Sequence, residues 1–174
     1  ALALMLFLRD RGLALPAGLI VMSPWADVTC SGASHTFNFH KDPQFGGTTD
    51  NMLHHCPYIG DADPTDPYLS PVFGEYHGFP PVLLQAGGDE VLLSDTLTVA
   101  EKLRKAHGKV RLSVYDGMFH VFQMALRLIP ESREAWEEVG RFLEIIYGIR
   151  RRPEGKKVRV VRSRRRNRGR SARH

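Results

Sequence analysis

Two periods of apolar residues run along the chain. The opening stretch, residues 1–9, reads ALALMLFLR and is followed by Gly12 and Pro16. It predicts a helix that stops at the glycine. No capping residue precedes it, and the chain is expected to open inside a helix, as a piece of a longer protein. Leu19-Ile20-Val21-Met22 is a short apolar run between Gly18 and Ser23-Pro24. Val82-Leu83-Leu84-Gln85-Ala86 is a second, between Pro80-Pro81 and Gly87-Gly88. Both read as buried parallel strands, covered by helices on both faces. Val110 to Tyr115 alternates apolar with polar or amphipathic residues. That period of two suits a half-exposed strand at a sheet edge.

Helical spacing returns after the second and third strands. Leu93, Leu97, Ala100 and Leu103 form one stripe, with Ser94 or Asp95 as the expected cap and Gly108 as the end. Ala135, Val139, Phe142, Leu143 and Ile146 form another, opened by Pro130-Glu131 and closed by Gly148. Strands that alternate with helices predict an α/β fold with a mostly parallel sheet. Residues 27–81 are too long for a plain connection in such a fold. A short helix is expected within them, near residues 50–55.

The chain has 174 residues, 43% of them apolar and 25% charged. That is the composition of one globular domain and excludes collagen, coiled coil and wholesale disorder. No apolar run approaches the ~18–20 residues of a membrane span. The net charge of +5 hides two opposite parts. From Arg150 onward there are 13 Lys/Arg against Glu154 alone, while the preceding 149 residues hold 11 Lys/Arg against 18 Asp/Glu. Residues 1–149 are therefore read as an acidic folded domain. Residues 150–174, nearly free of apolar side chains, are read as a basic disordered tail. Binding of nucleic acid or of an anionic surface is expected only through that tail. Cys30 and Cys56 are too few for a disulfide scaffold and lack zinc-ligand spacing.

Candidate chemistry lies in the loops that follow the second and third strands. One reads Gly87-Gly88-Asp89-Glu90 and the other Asp116-Gly117-Met118-Phe119-His120. Catalytic groups gather at the carboxyl ends of strands in open α/β sheets. An acid that binds one imidazole nitrogen fixes the tautomer and leaves the other nitrogen as a general base. The competing reading makes the acids helix caps and gives His120 a backbone carbonyl as partner. His54, His55 and Cys56 adjoin one another, but neighbouring histidines do not converge readily on one metal, and the two read as surface or packing histidines. Neither a dinucleotide nor a P-loop motif is present. Trp25, Phe37, Phe39 and Phe45 are candidates to line an acyl pocket or to fill core.

Five phrases carry a family resemblance. They are Ser23-Pro24-Trp25-Ala26-Asp27, the run from Asp61-Ala62-Asp63-Pro64 to Leu69-Ser70-Pro71, Gly88-Asp89-Glu90-Val91-Leu92-Leu93-Ser94-Asp95, Gly117-Met118-Phe119-His120-Val121-Phe122, and Pro130-Glu131-Ser132-Arg133-Glu134-Ala135. In this order they resemble the C-terminal half of an α/β-hydrolase of the hormone-sensitive-lipase-like branch. The resemblance covers all but the tail. It implies a triad that runs Ser, acid, His, with His120 on the histidine. The family's acid motif, aligned without gaps on Ser94-Asp95, puts the acid at Glu90, thirty positions before His120. Asp89 is the alternative and requires a one-residue insertion.

The G-x-S-x-G elbow and the HGGG-type oxyanion loop of that family do not occur in the sequence. Ser34, in Gly32-Ala33-Ser34-His35-Thr36, lacks the second small residue of an elbow and is a poor substitute. The opening helix resembles the one that follows the elbow, so the nucleophile is expected just ahead of Ala1. The resemblance implies a carboxylic-ester hydrolase acting through an acyl-serine, on short or medium acyl esters. It implies no metal or organic cofactor and admits a homodimer. The alternatives are a catalytically inactive fragment and an anion-binding chain that works through its tail.

Overall fold

The computed structural model describes residues 1–149. The basic tail expected over residues 150–174, with any nucleic-acid contact made through it, lies outside the described residues. Strands β1 (Leu19–Met22), β2 (Val82–Gly87) and β3 (Val110–Tyr115) form a parallel sheet in the order β1-β2-β3. Leu19 stands beside Val82, and Val82 beside Val110. The α/β reading is thus borne out, with the two later strands side by side and parallel. Every residue of β2 is buried, as its unbroken apolar run demands for a central strand, whereas β3 is half-buried with Arg111 and Val114 exposed, which breaks the expected period of two.

Helices α1 (Leu2–Asp10), α2 (Ser34–Phe37), α3 (Leu93–Lys105) and α4 (Pro130–Tyr147) complete the regular elements, with short 3-10 turns at Pro71–Phe73 and Phe122–Ala125. The pleat of β2 divides the core. Val82 and Leu84 pack with Met5 and Leu6 of α1 and with Val99 and Leu103 of α3. Leu83 faces the other way, onto Val139 and Phe142 of α4. Among the described residues, no helix is long and apolar enough to cross a membrane.

Several local expectations are corrected. Neither Ser94 nor Asp95 caps α3, whose first residue is Leu93. The Asp95 carboxylate instead accepts the backbone N–H groups of Ala26 and Asp27 at 2.8 and 2.9 Å, and Ser94 Oγ accepts that of Ser34 at 2.8 Å. These buried donors lack helix or sheet partners, and they outcompete the helix end for the side chains. Burial pushes the Asp95 carboxyl above its ordinary range, against the nearby His35 imidazole at 3.8 Å and the hydrogen bond from the Ala26 N–H. Residues 51–55 form a turn rather than a helix, with the His54 and His55 N–H groups both donating to the Asn51 carbonyl. The short helix of the long segment is α2, which sequence periodicity does not indicate. Leu97 and Leu143 sit on the flanks of their stripes and stay largely exposed, at 41% and 38%.

Glu138 of α4 is buried against the sheet. Its carboxylate accepts hydrogen bonds from Gln85 at 2.8 Å, Ser113 at 2.7 Å and Tyr115 at 3.3 Å, and it pairs with Arg111. Burial pushes the carboxyl up, but hydrogen bonds from Ser113, Gln85 and Arg111 outweigh it and leave the pKa below the ordinary glutamate range. A depressed folded pKa contributes stability that is complete above the unfolded carboxyl's range and is lost as pH falls through the folded value. Glu138→Ala should therefore cost about 3 kcal/mol in urea unfolding at neutral pH. That cost should shrink as the pH drops below about 4. An equal cost at both pH values would show that charge is not the source.

Candidate active site

Two loops meet beyond the carboxyl ends of β2 and β3. After β3 the chain reverses at Gly117, whose φ of +68° suits a residue without Cβ. The loop then folds back over β2. There the Asp89 N–H donates to the Met118 carbonyl at 3.0 Å, and the Gly88 N–H to the Tyr115 carbonyl at 2.8 Å. A Cβ at Gly87 would overlap the Met118 carbonyl and the Phe119 carbonyl oxygen. This glycine permits the close approach that sets the site's geometry.

His120 follows on the second loop. Val121, next in the chain, has a φ of +49°, which is costly for a β-branched side chain. Its N–H donates to Ser23 Oγ at 3.1 Å. Ser23, just past β1, has a φ of +46°. The histidine loop is thereby tied to the end of β1, on the far side of β2. Phe45 covers the imidazole edge-on, with ring centroids 4.9 Å apart.

Glu90 is fully buried, and its Oε2 lies 3.4 Å from His120 Nδ1. Among the described residues neither carboxylate oxygen accepts a hydrogen bond. The imidazole is the cation-forming group that faces the acid, and a shift of a few tenths of an ångström would turn the approach into a hydrogen bond. A carboxylate at Nδ1 holds the proton there and leaves Nε2 as the basic nitrogen. Asp89 points elsewhere. Its side chain is one-third exposed and lies 3.6 Å from Lys41 Nζ. The structure brings Glu90 and His120 together and turns Asp89 away.

The remaining candidates separate by burial. Ser34 is buried, donates through Oγ to the Val91 carbonyl and accepts the Ser94 N–H at 2.8 Å. It bridges α2 to the start of α3 and is not placed as a nucleophile. Cys30 is a free thiol pushed up to about 11 by burial and by the nearby Asp27 and Asp95 carboxylates. A thiol so raised carries little thiolate at neutral pH. Trp25 and Phe45 pack against the Leu53, Val91 and Leu92 cluster, whereas Phe37 is exposed. A cavity of about 320 Å³ beside Trp25 is lined by Val28, Met52 and His55, and by neither Glu90 nor His120. Among the described residues no group of three or more His, Cys, Asp or Glu side chains could hold a metal ion.

Sequence reasoning missed two polar residues beside the pair. Asn38 donates to the Gly88 and Glu90 carbonyls, and Asp42 accepts the Val91 N–H. The Asp42-Pro43 dipeptide, a turn-forming pair four residues after Asn38, is the local signal that could have drawn attention to them. The close approach at Gly87 yields a direct expectation. Gly87→Ala should lower stability by about 1–3 kcal/mol, the usual cost of overpacking. It should also speed hydrogen exchange at the Asp89 amide. An unchanged melting temperature with normal Asp89 protection would show that the loops do not depend on that contact.

Comparison with known proteins agrees with this fold. Residues 1–124 match the model of a family described as having the alpha/beta hydrolase fold. An acetyl-hydrolase of Streptomyces hygroscopicus is 37% identical over 148 residues, which are 85% of this chain and 49% of the relative. An esterase of Acinetobacter venetianus is 36% identical over 82% of this chain and 47% of its own length. The crystal structure of an esterase from the bacterial hormone-sensitive lipase family superposes with a TM-score of 0.78 at 33% identity, over 83% of this chain and 48% of that one. The chain spans about half the length of the relatives it matches. On the family match and these similarities, the chain belongs to the α/β-hydrolase fold family, in its hormone-sensitive-lipase-like branch.

Proposed function

We propose that this chain supplies the acid and the base of a carboxylic-ester hydrolase that works through an acyl-serine. The observation that carries the reading is the buried Glu90 carboxylate 3.4 Å from His120 Nδ1, at the carboxyl end of a parallel sheet. His120 Nε2 takes the proton of a serine hydroxyl as that oxygen attacks the ester carbonyl. Glu90 holds the imidazole in the right tautomer and offsets the charge of the imidazolium. The imidazolium then gives that proton to the alkoxide that leaves as the acyl-serine forms. In the second half of the cycle His120 takes a proton from water as the water oxygen attacks the acyl carbon, and returns it to the serine oxygen as the acid product departs. This reading assigns the serine and the oxyanion donors to the part of the relatives' length that this chain does not match. The names of the relatives, acetyl-hydrolase and esterase, favour short or medium acyl esters as substrates. None of these steps calls for a metal or an organic cofactor.

The test joins this chain to the part of the Acinetobacter venetianus esterase that it does not match and follows p-nitrophenyl acetate hydrolysis. His120→Ala and Glu90→Gln should each lower kcat by roughly 10³–10⁴. Asp89→Asn should cost less than about tenfold, the scale of a peripheral charge. A larger loss for Asp89→Asn than for Glu90→Gln would move the acid to Asp89. Full activity in His120→Ala would remove the proposed mechanism.

A further inference from the structure

The Glu90 loop and the His120 ring lean on the same buried side chain. Asp42 is 4% exposed in a stretch of irregular backbone. A carboxylate taken out of water is costly unless hydrogen bonds satisfy it. Asp42 has three. Its Oδ2 accepts the Val91 N–H at 2.8 Å, immediately after Glu90. Its Oδ1 accepts the N–H groups of Gln44 at 2.8 Å and Phe45 at 3.1 Å. Phe45 is the residue whose ring meets the His120 imidazole edge-on. Asn38 adds to the same hold. It is fully buried, and its Nδ2 donates to the Gly88 and Glu90 carbonyls at 2.9 Å each. The two are joined, because the Asp42 N–H donates to the Asn38 carbonyl at 3.0 Å.

We propose that Asp42, supported by Asn38, is the positioning residue of the Glu90–His120 pair. One carboxylate holds the acid's backbone with one oxygen and the turn that places the ring against the base with the other. The purpose of this arrangement rests on the ester-hydrolase reading; its geometry does not. The hold acts where it matters most, since Glu90 Oε2 and His120 Nδ1 are 3.4 Å apart and small displacements of either loop make or break their hydrogen bond. Neither Asp42 nor Asn38 reaches the reacting atoms in this scheme.

Isosteric variants separate positioning from bulk stability. Asp42→Asn keeps the volume and the acceptor that shapes the turn at Gln44 and Phe45, but it sets an amide NH₂ against the Val91 N–H. Asn38→Asp sets a carboxylate against the Gly88 and Glu90 carbonyls. Asp27→Asn is the control. Asp27 is equally buried and accepts four hydrogen bonds from Thr29 and Ser31, none of them from the Glu90 loop. The measurements are amide hydrogen exchange and the imidazole ¹⁵N spectrum of His120, on the 174-residue chain. In Asp42→Asn the Val91 amide should exchange about tenfold faster, as expected for one lost hydrogen bond. The Leu84 and Leu103 amides should keep their protection. In both Asp42→Asn and Asn38→Asp the His120 nitrogen signals should shift, and in Asp27→Asn they should not. Unmoved His120 signals in Asp42→Asn would overturn the proposal. So would an equal shift in Asp27→Asn, or protection lost across the whole sheet, because either makes the role merely structural. The imidazole spectrum requires no turnover. An inactive joined enzyme with the expected His120 shifts would therefore sink the ester-hydrolase reading alone.

Discussion

A carboxylate removed from water must be faced by a donor or it destabilises the fold by several kcal/mol. Glu90 stands under that constraint. It has no exposed surface, and the group it faces is the imidazole of His120. The surrounding backbone is arranged around this approach. Gly87 lets the two loops touch, Gly117 turns the second loop back over β2, and Ser23 ties Val121 to the end of β1. The left-handed conformations of Ser23 and Val121 hold the histidine loop in a form that neither residue would adopt alone.

The long connection between β1 and β2 does by side chains what helices and strands do elsewhere. Asp27 gathers Thr29 and Ser31, Asp95 takes the Ala26 and Asp27 amides, Asn38 and Asp42 take the Glu90 loop, and Ser70 Oγ accepts the Val28 N–H. Each of these satisfies a backbone group that has no ladder partner, as burial requires. Irregular chain can therefore pack against the carboxyl ends of the strands and still have a defined shape. That shape brings Phe45 onto His120 and clears Lys41 to meet Asp89.

Below the site the sheet is braced by a second buried acid. Glu138 links α4 to Gln85 of β2 and to Arg111, Ser113 and Tyr115 of β3. The two acids differ in a physically telling way. Glu138 is surrounded by donors, and they keep its carboxyl below the ordinary range. Among the described residues Glu90 is offered only the imidazole, the arrangement that the proposed acid–base role requires. Membership of the α/β-hydrolase family accords with this division, since the fold places its chemistry at the strand ends and its bracing within the sheet.

The sequence by itself determined the elements whose cause is local. Unbroken apolar runs marked β1 and β2, alternation marked β3 as an edge, and 3.6-residue stripes marked α3 and α4, because burial on one or two faces writes its period directly into the chain. The family resemblance, through its acid motif, also selected Glu90 over Asp89 as the candidate acid. The tertiary structure alone decided what distant partners decide. Asp95 left the end of α3 for the amides of Ala26 and Asp27, some seventy residues away in sequence. Ser34 formed a helix that its neighbours do not encode, because Val91 and Ser94 bind its hydroxyl. Residues 51–55 closed as a turn. Asp42 and Asn38 look like ordinary loop residues until the chain brings Gly88, Glu90 and Val91 to them. A hydrogen bond across fifty residues leaves no period in the sequence, so its partners become visible only once the fold has placed them side by side.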